Sequence, residues 1–207
     1  MATAERSPGA VALGFSVHTG WAVLVAVSRS PTSLTVLDRR RVGMLPVPAT
    51  PRQDAYPHVF HAARELSLEE AERFVRIAEQ QARSKAREAL GAAVDGLQAA
   101  GHHVHGSAII TAREGPPRPL EEILRSHTLV HAAEGALFRS VIRGASEDLG
   151  LPVLQVPAPE LVQRAARALG LSREEVPGFL QRVGRELGPP WTADHKAAAL
   201  AAVLALS

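Results

Sequence analysis

The sequence predicts one α/β domain with the element order β-β-β-α-β-α-β-α. Three observations predict it: two valine-rich runs split by a short turn, a long stretch at helical spacing behind a capping box, and later apolar runs that alternate with helical segments. At 207 residues the chain has the size of a single domain of roughly 100–200 residues. Its 46% hydrophobic content suffices for a core without covalent staples.

Val11 to Val17 is apolar and stops at His18-Thr19-Gly20, after which Trp21 to Val27 resumes, the pattern of a hairpin. Ser30-Pro31-Thr32-Ser33 makes the next turn. Leu34 to Val42 then alternates as a third antiparallel strand, and its Arg39-Arg40-Arg41 run suits a sheet edge. The connection 43–66 is long, and Pro46, Pro48, Pro51 and Pro57 argue against regular structure, so it reads as an insertion loop of the lid or docking kind. Ser67 and Glu70 form a capping box ahead of a helix in which Leu68, Ala71, Val75, Ala78, Ala82, Ala86, Leu90, Ala93 and Leu97 share a face, until Gly101 ends it. Glu69 with Arg73, Glu72 with Arg76 and Glu79 with Arg83 are spaced to pair on its wet side, each adding about 0.3 kcal/mol.

Val104 to Thr111 reads as a strand, Arg113 to Pro119 as a loop, Leu120 to Leu149 as one helix capped by Gly150, and Leu151 to Val156 as the last strand. Pro159 to Leu187 is helical with breaks at Gly170 and Pro177, and Pro189-Pro190 leads into a final alanine-rich helix over Thr192 to Leu206. Residues 1–10 read as a flexible tail and 11–207 as the domain.

Composition excludes several classes of chemistry. With no cysteine there are no disulfides, thiolate metal sites or cysteine nucleophiles, and a cytoplasmic location is expected. No apolar run approaches the roughly 20 residues a bilayer requires, so no membrane partner is expected. The net charge is only +2, and Lys85 and Lys196 are the only lysines, so composition does not announce a nucleic-acid binder. The phosphate-loop and dinucleotide glycine patterns and a serine-hydrolase elbow are all missing.

Four stretches carry a family likeness. They are Ala12-Leu13-Gly14-Phe15-Ser16-Val17-His18-Thr19-Gly20-Trp21, Val130 to Leu137 with Glu134-Gly135, Leu151-Pro152-Val153-Leu154-Gln155-Val156-Pro157-Ala158-Pro159-Glu160-Leu161-Val162, and Asp194-His195-Lys196-Ala197-Ala198-Ala199-Leu200-Ala201. In this order the chain resembles RuvC-type Holliday-junction resolvases of the ribonuclease H-like superfamily. The resemblance implies a ribonuclease H-like fold: a mixed five-stranded sheet, three antiparallel strands followed by alternating helices and strands, flanked by helices. It also implies carboxylates that hold two divalent ions about 4 Å apart to cleave a phosphodiester. Here the first-strand aspartate position is Ser16, the fourth-strand glutamate position falls near Thr111 with Glu114 three residues late, and the terminal helix keeps Asp194 but has Ala197 for its second acid. The family's nuclease mechanism is therefore expected to be absent, leaving a binding or scaffold role with no cofactor.

Ser16, His18, Thr111, Asp194 and His195 are the expected binding cleft. In the rival reading Asp194, Glu114, His18 and His195 form a reduced site for Mg2+, Mn2+ or Zn2+ that hydrolyses nucleic-acid phosphodiesters, with Asp194, Glu114 and His195 as the catalytic candidates. Nucleic-acid binding without cleavage is a third reading. His127, His131 and Glu134 form a second cluster at i, i+4 and i+7, on one helix face, with metal-ligand spacing or as an interhelical polar network. Tyr56-Pro57-His58-Val59-Phe60-His61 is expected to close over the cleft or to plug the loop onto the core. His102, His103 and His105 are read as structural. The length of the apolar stripe from residue 67 predicts a homo-oligomer.

Overall fold

The computed structural model describes residues 10–29, 34–45, 58–112 and 115–206. The expected tail up to residue 9, the Ser30-Pro31-Thr32-Ser33 turn, the proline-rich stretch 46–57, and Arg113 and Glu114 lie outside the described residues. The elements are β1 (Ala10–His18), β2 (Trp21–Arg29), β3 (Leu34–Gly43), α1 (Val59–Ala63), α2 (Leu68–Ala99), β4 (His103–Thr111), α3 (Leu120–Arg125), α4 (His127–Glu147), β5 (Val153–Pro157), α5 (Leu161–Leu169), α6 (Val176–Leu187) and α7 (Ala193–Ala205).

The sheet order is β3-β2-β1-β4-β5, antiparallel from β3 to β1 and parallel from β1 to β5, as the resemblance implies. β3, with its arginine run, is an edge strand. The β1–β2 hairpin turns on Thr19-Gly20, where Gly20 has φ +77°, a left-handed value open to a residue without Cβ. Alternation along the strands separates two cores. Val11, Leu13, Phe15, Leu24 and Ile109 pack under α1, α2 and α4, whereas Val23, Val25, Val27 and Ala108 pack under α5, α6 and α7. Phe15, Leu13, Leu24, Phe138 and Ile142 are fully buried, each stabilising the fold by about 1.5–3 kcal/mol relative to exposure.

Several local expectations are corrected. The helix expected over Leu120–Leu149 is two helices, because extended Ser126 breaks it and its hydroxyl accepts the Leu129 N–H to cap α4. Pro177 starts α6 rather than breaking it, since its missing N–H falls where a helix has no acceptor for one. Arg83 reaches across to both carboxylate oxygens of Asp148, at 2.9 and 2.7 Å, instead of pairing with Glu79 on its own helix. The loop 43–66 contains the short helix α1, whose Val59, Phe60 and Ala63 are buried in the core. The alanines of the α2 stripe are buried within the chain while Leu68 at its start is exposed; among the described residues Leu66, Leu68, Phe74 and Ile77 are the large apolar residues left exposed. Among the described residues no helix is long and apolar enough to cross a membrane.

Candidate functional site: two polar clusters on opposite faces of the sheet

The first cluster exists because α7 lies directly on β1. A Cβ at Gly14 would come within 1.9 Å of the Ala198 carbonyl oxygen, so only glycine permits this approach. From the other side, Arg39 of β3 donates to the carbonyl oxygens of Leu187, Gly188 and Pro190 at 2.8–3.0 Å, fixing the turn that launches the helix. Asp194, in the first turn of α7, is thereby brought to the end of β1.

There Ser16 Oγ donates to Asp194 Oδ1 at 2.8 Å, and His18 Nε2 lies 2.8 Å from the same oxygen. His18 and Trp21 are directly opposite in the hairpin, and their rings stack at 4.1 Å and 9°. The Arg41 guanidinium lies 4.2 Å from the Trp21 ring centroid, a cation–π distance that braces the stack. Burial pushes the Asp194 carboxyl up, but the hydrogen bonds from His18 and Ser16 and the charge of His18 outweigh it and hold the group below its ordinary value of 3.8. As an ionised carboxylate accepts only, His18 supplies its Nε2 proton.

His195 does not join this triad. Its Nδ1 lies 2.8 Å from Thr192 Oγ1 and accepts the Thr192 N–H at 3.3 Å, so it caps the start of α7. Burial, then the positive charge of Arg39, hold it below the ordinary histidine value. Thr111 is also elsewhere: it shares a face with Ile109 and lines a shallow pocket with Arg139, Ser140 and Arg143 of α4. The β4 residue on Ser16's face is Ile110, packed in the core under α7. Glu114 lies outside the described residues. Two hard divalent ions need several bridging carboxylate oxygens. The described positions that the resemblance assigns to acids hold Ser16, Thr111, Asp194 and Ala197, a set with one carboxylate that does not fit such a pair.

The second cluster lies on the opposite face. Glu134 turns into the core at 1% exposure. Its Oε1 accepts the N–H groups of Phe60 and His61, at 2.7 and 3.4 Å, and so caps α1, which has no side-chain cap of its own. His61 thus joins His127 and His131, with ring centroids 5.7, 4.8 and 4.4 Å apart pairwise, and His58 lies 4.8 Å from His61. Glu134 Oε2, His58 Nδ1 and His61 Nδ1 are buried without hydrogen-bond partners. Each such atom costs about 1–3 kcal/mol when nothing satisfies it. Shielding from water, then His127, His61 and His58, hold His131 below the ordinary histidine value. His103 and His105 pair edge to face on β4, apart from both clusters.

No family model and no curated protein matches the chain. Among solved structures it is similar to Thermus thermophilus RuvC in complex with a Holliday junction substrate, at TM-score 0.51 and 14% identity, covering 94% of this chain and 90% of that one. A second Thermus thermophilus RuvC structure aligns at TM-score 0.49 and 13% identity over 94% and 92% of the two chains. An Aquifex aeolicus member of the Ppx/GppA family aligns at TM-score 0.37 and 9% identity over 79% and 41%. At these identities the likeness shows the fold alone, a ribonuclease H-like α/β fold similar to that of the RuvC structure.

Sequence reasoning missed Arg39 and Arg41, treated only as an edge run, and the Arg139–Arg143 pair, whose i, i+4 spacing was the available signal. His58 and His61 are also spaced for one helix face, but nothing in the local sequence connects them to His131.

Proposed function

We propose that this protein keeps the RuvC-type scaffold for a binding or scaffold role without two-metal phosphodiester cleavage. The observation that carries the reading is the engagement of Asp194 Oδ1 by both Ser16 and His18. Ile110 and Ala197 support it, being apolar where a metal pair needs oxygens. Nucleic acid is the ligand class favoured by the RuvC neighbour in complex with a Holliday junction substrate. A homo-oligomer would use exposed Leu66, Leu68, Phe74 and Ile77 rather than the buried alanines of α2.

The test is incubation with branched, single-stranded and hybrid nucleic acids in magnesium or manganese. The expected result is intact substrate, with retarded complexes that dissociate steeply as salt rises because counterions return to the phosphates. Cleavage that disappears in Asp194→Ala overturns the loss of catalysis. Undetectable or salt-insensitive binding removes nucleic acid as the ligand.

A further inference from the structure

We infer that His61, His127 and His131 bind a divalent transition-metal ion of the zinc class, with Glu134 as the positioning residue behind His61. This site lies on the sheet face opposite Asp194 and does not depend on the function proposed above.

Three imidazoles from two elements converge here. Each can offer a ring nitrogen such that all three nitrogens lie within 4.8 Å of one another. Nitrogens about 2.0–2.1 Å from a tetrahedral ion are about 3.4 Å apart, so small rotations of the exposed His127 and His131 side chains complete the geometry. Imidazole donors select zinc-class ions over magnesium or calcium, which take oxygen ligands.

The second, independent observation is the buried layer behind the rings. Glu134 spends Oε1 on the backbone of α1, and this explains why it is inside. It does not explain why His61 Nδ1 is buried without a hydrogen-bond partner. His61 Nδ1 stands 3.6 Å from Glu134 Oε1, just beyond hydrogen-bond length. A metal on the other ring nitrogen would draw His61 into the carboxylate–histidine–metal relay in which a second-layer acid orients the ligand. A polar network anchoring α1 would pair these atoms with one another. In this cluster the rings meet edge to face or tilted.

Three protein ligands leave the fourth tetrahedral position to water or a small anion on the exposed side of His127 and His131. The ion would also pin α1 to α4.

The test uses the full chain without a histidine tag, stripped by chelator, then titrated with zinc by calorimetry and with cobalt by visible absorption. The expected result is one ion per chain, with the intense visible bands of tetrahedral cobalt. His127→Ala with His131→Ala, both at exposed positions, should weaken zinc binding by about a hundredfold or more, while His103→Ala with His105→Ala should leave it unchanged. Glu134→Gln retains an acceptor for α1 and should keep the fold by circular dichroism while weakening zinc about tenfold to a hundredfold. The inference is overturned by absence of stoichiometric binding, by equal affinity in the His127/His131 double variant, or by loss of binding in the His103/His105 variant.

Discussion

Asp194 and Glu134 both approach the sheet from a helix, on opposite faces, and their surroundings differ in kind. Asp194 is partly exposed at a helix start and receives two side-chain hydrogen bonds on one oxygen. Glu134 is buried, gives one oxygen to a neighbouring backbone and leaves the other unpartnered, and its carboxylate lies within 4.8 Å of ring nitrogens of His58 and His61. The place where the family likeness predicts metal chemistry is thus occupied by the protein's own donors. On the other face Glu134 Oε2, His58 Nδ1 and His61 Nδ1 are orphaned together, while the other orphaned side-chain atoms among the described residues, on Asp38, His102 and Ser107, lie elsewhere in the chain. A fold of this type marks where chemistry can sit, and side-chain satisfaction separates the two places.

The comparison breaks first if α7 can leave the sheet. Gly14→Ala puts a methyl against the Ala198 carbonyl and the Ala202 N–H, both backbone, so the helix must shift. Denaturant unfolding should show a loss of about 3 kcal/mol. A change within error would mean that the Asp194 cluster is not built on this contact.

A smaller effect separates the two acids themselves. Glu134→Ala strands the N–H groups of Phe60 and His61 and should cost about 2 kcal/mol, whereas Asp194→Ala, near solvent, should cost about 1 kcal/mol. The reverse order in urea unfolding would contradict the assignment of Glu134 as the cap of α1.

The smallest effect concerns pH. Because the folded Asp194 carboxyl titrates below its ordinary value of 3.8, its stabilisation is fully present above that value and is lost as pH falls through the folded one. Asp194→Asn removes this dependence. The stability gap between wild type and Asp194→Asn, about 1 kcal/mol at neutral pH, should close on acidification. A gap that widens would show a raised carboxyl pKa.

The Asp194 cluster was legible from chain order, because the end of β1 and the start of α7 meet in any fold of this type, and from Gly20, which set the hairpin that stacks His18 on Trp21. Other members were not. His195 stands three residues after Thr192, and that spacing serves a capping residue as readily as a site residue. Thr111 fell on the wrong face because the register of β4 against β1 shifts between Val11 and Ala12, an irregularity that counting along strands cannot reveal. His127, His131 and Glu134 followed from helical spacing, but the arrival of His61 did not. The prolines around it argued for a loop, and α1 is stabilised by Glu134, 74 residues further along, a contact invisible to local pattern.

The most direct measurement is anomalous diffraction from crystals grown with both manganese and zinc, recorded at each absorption edge. The account predicts a zinc peak among His61, His127 and His131 and no peak of either metal within bonding distance of Asp194. A pair of manganese peaks at Asp194 would contradict the proposed loss of two-metal catalysis. An empty histidine cluster would contradict the zinc-class site and leave that loss standing.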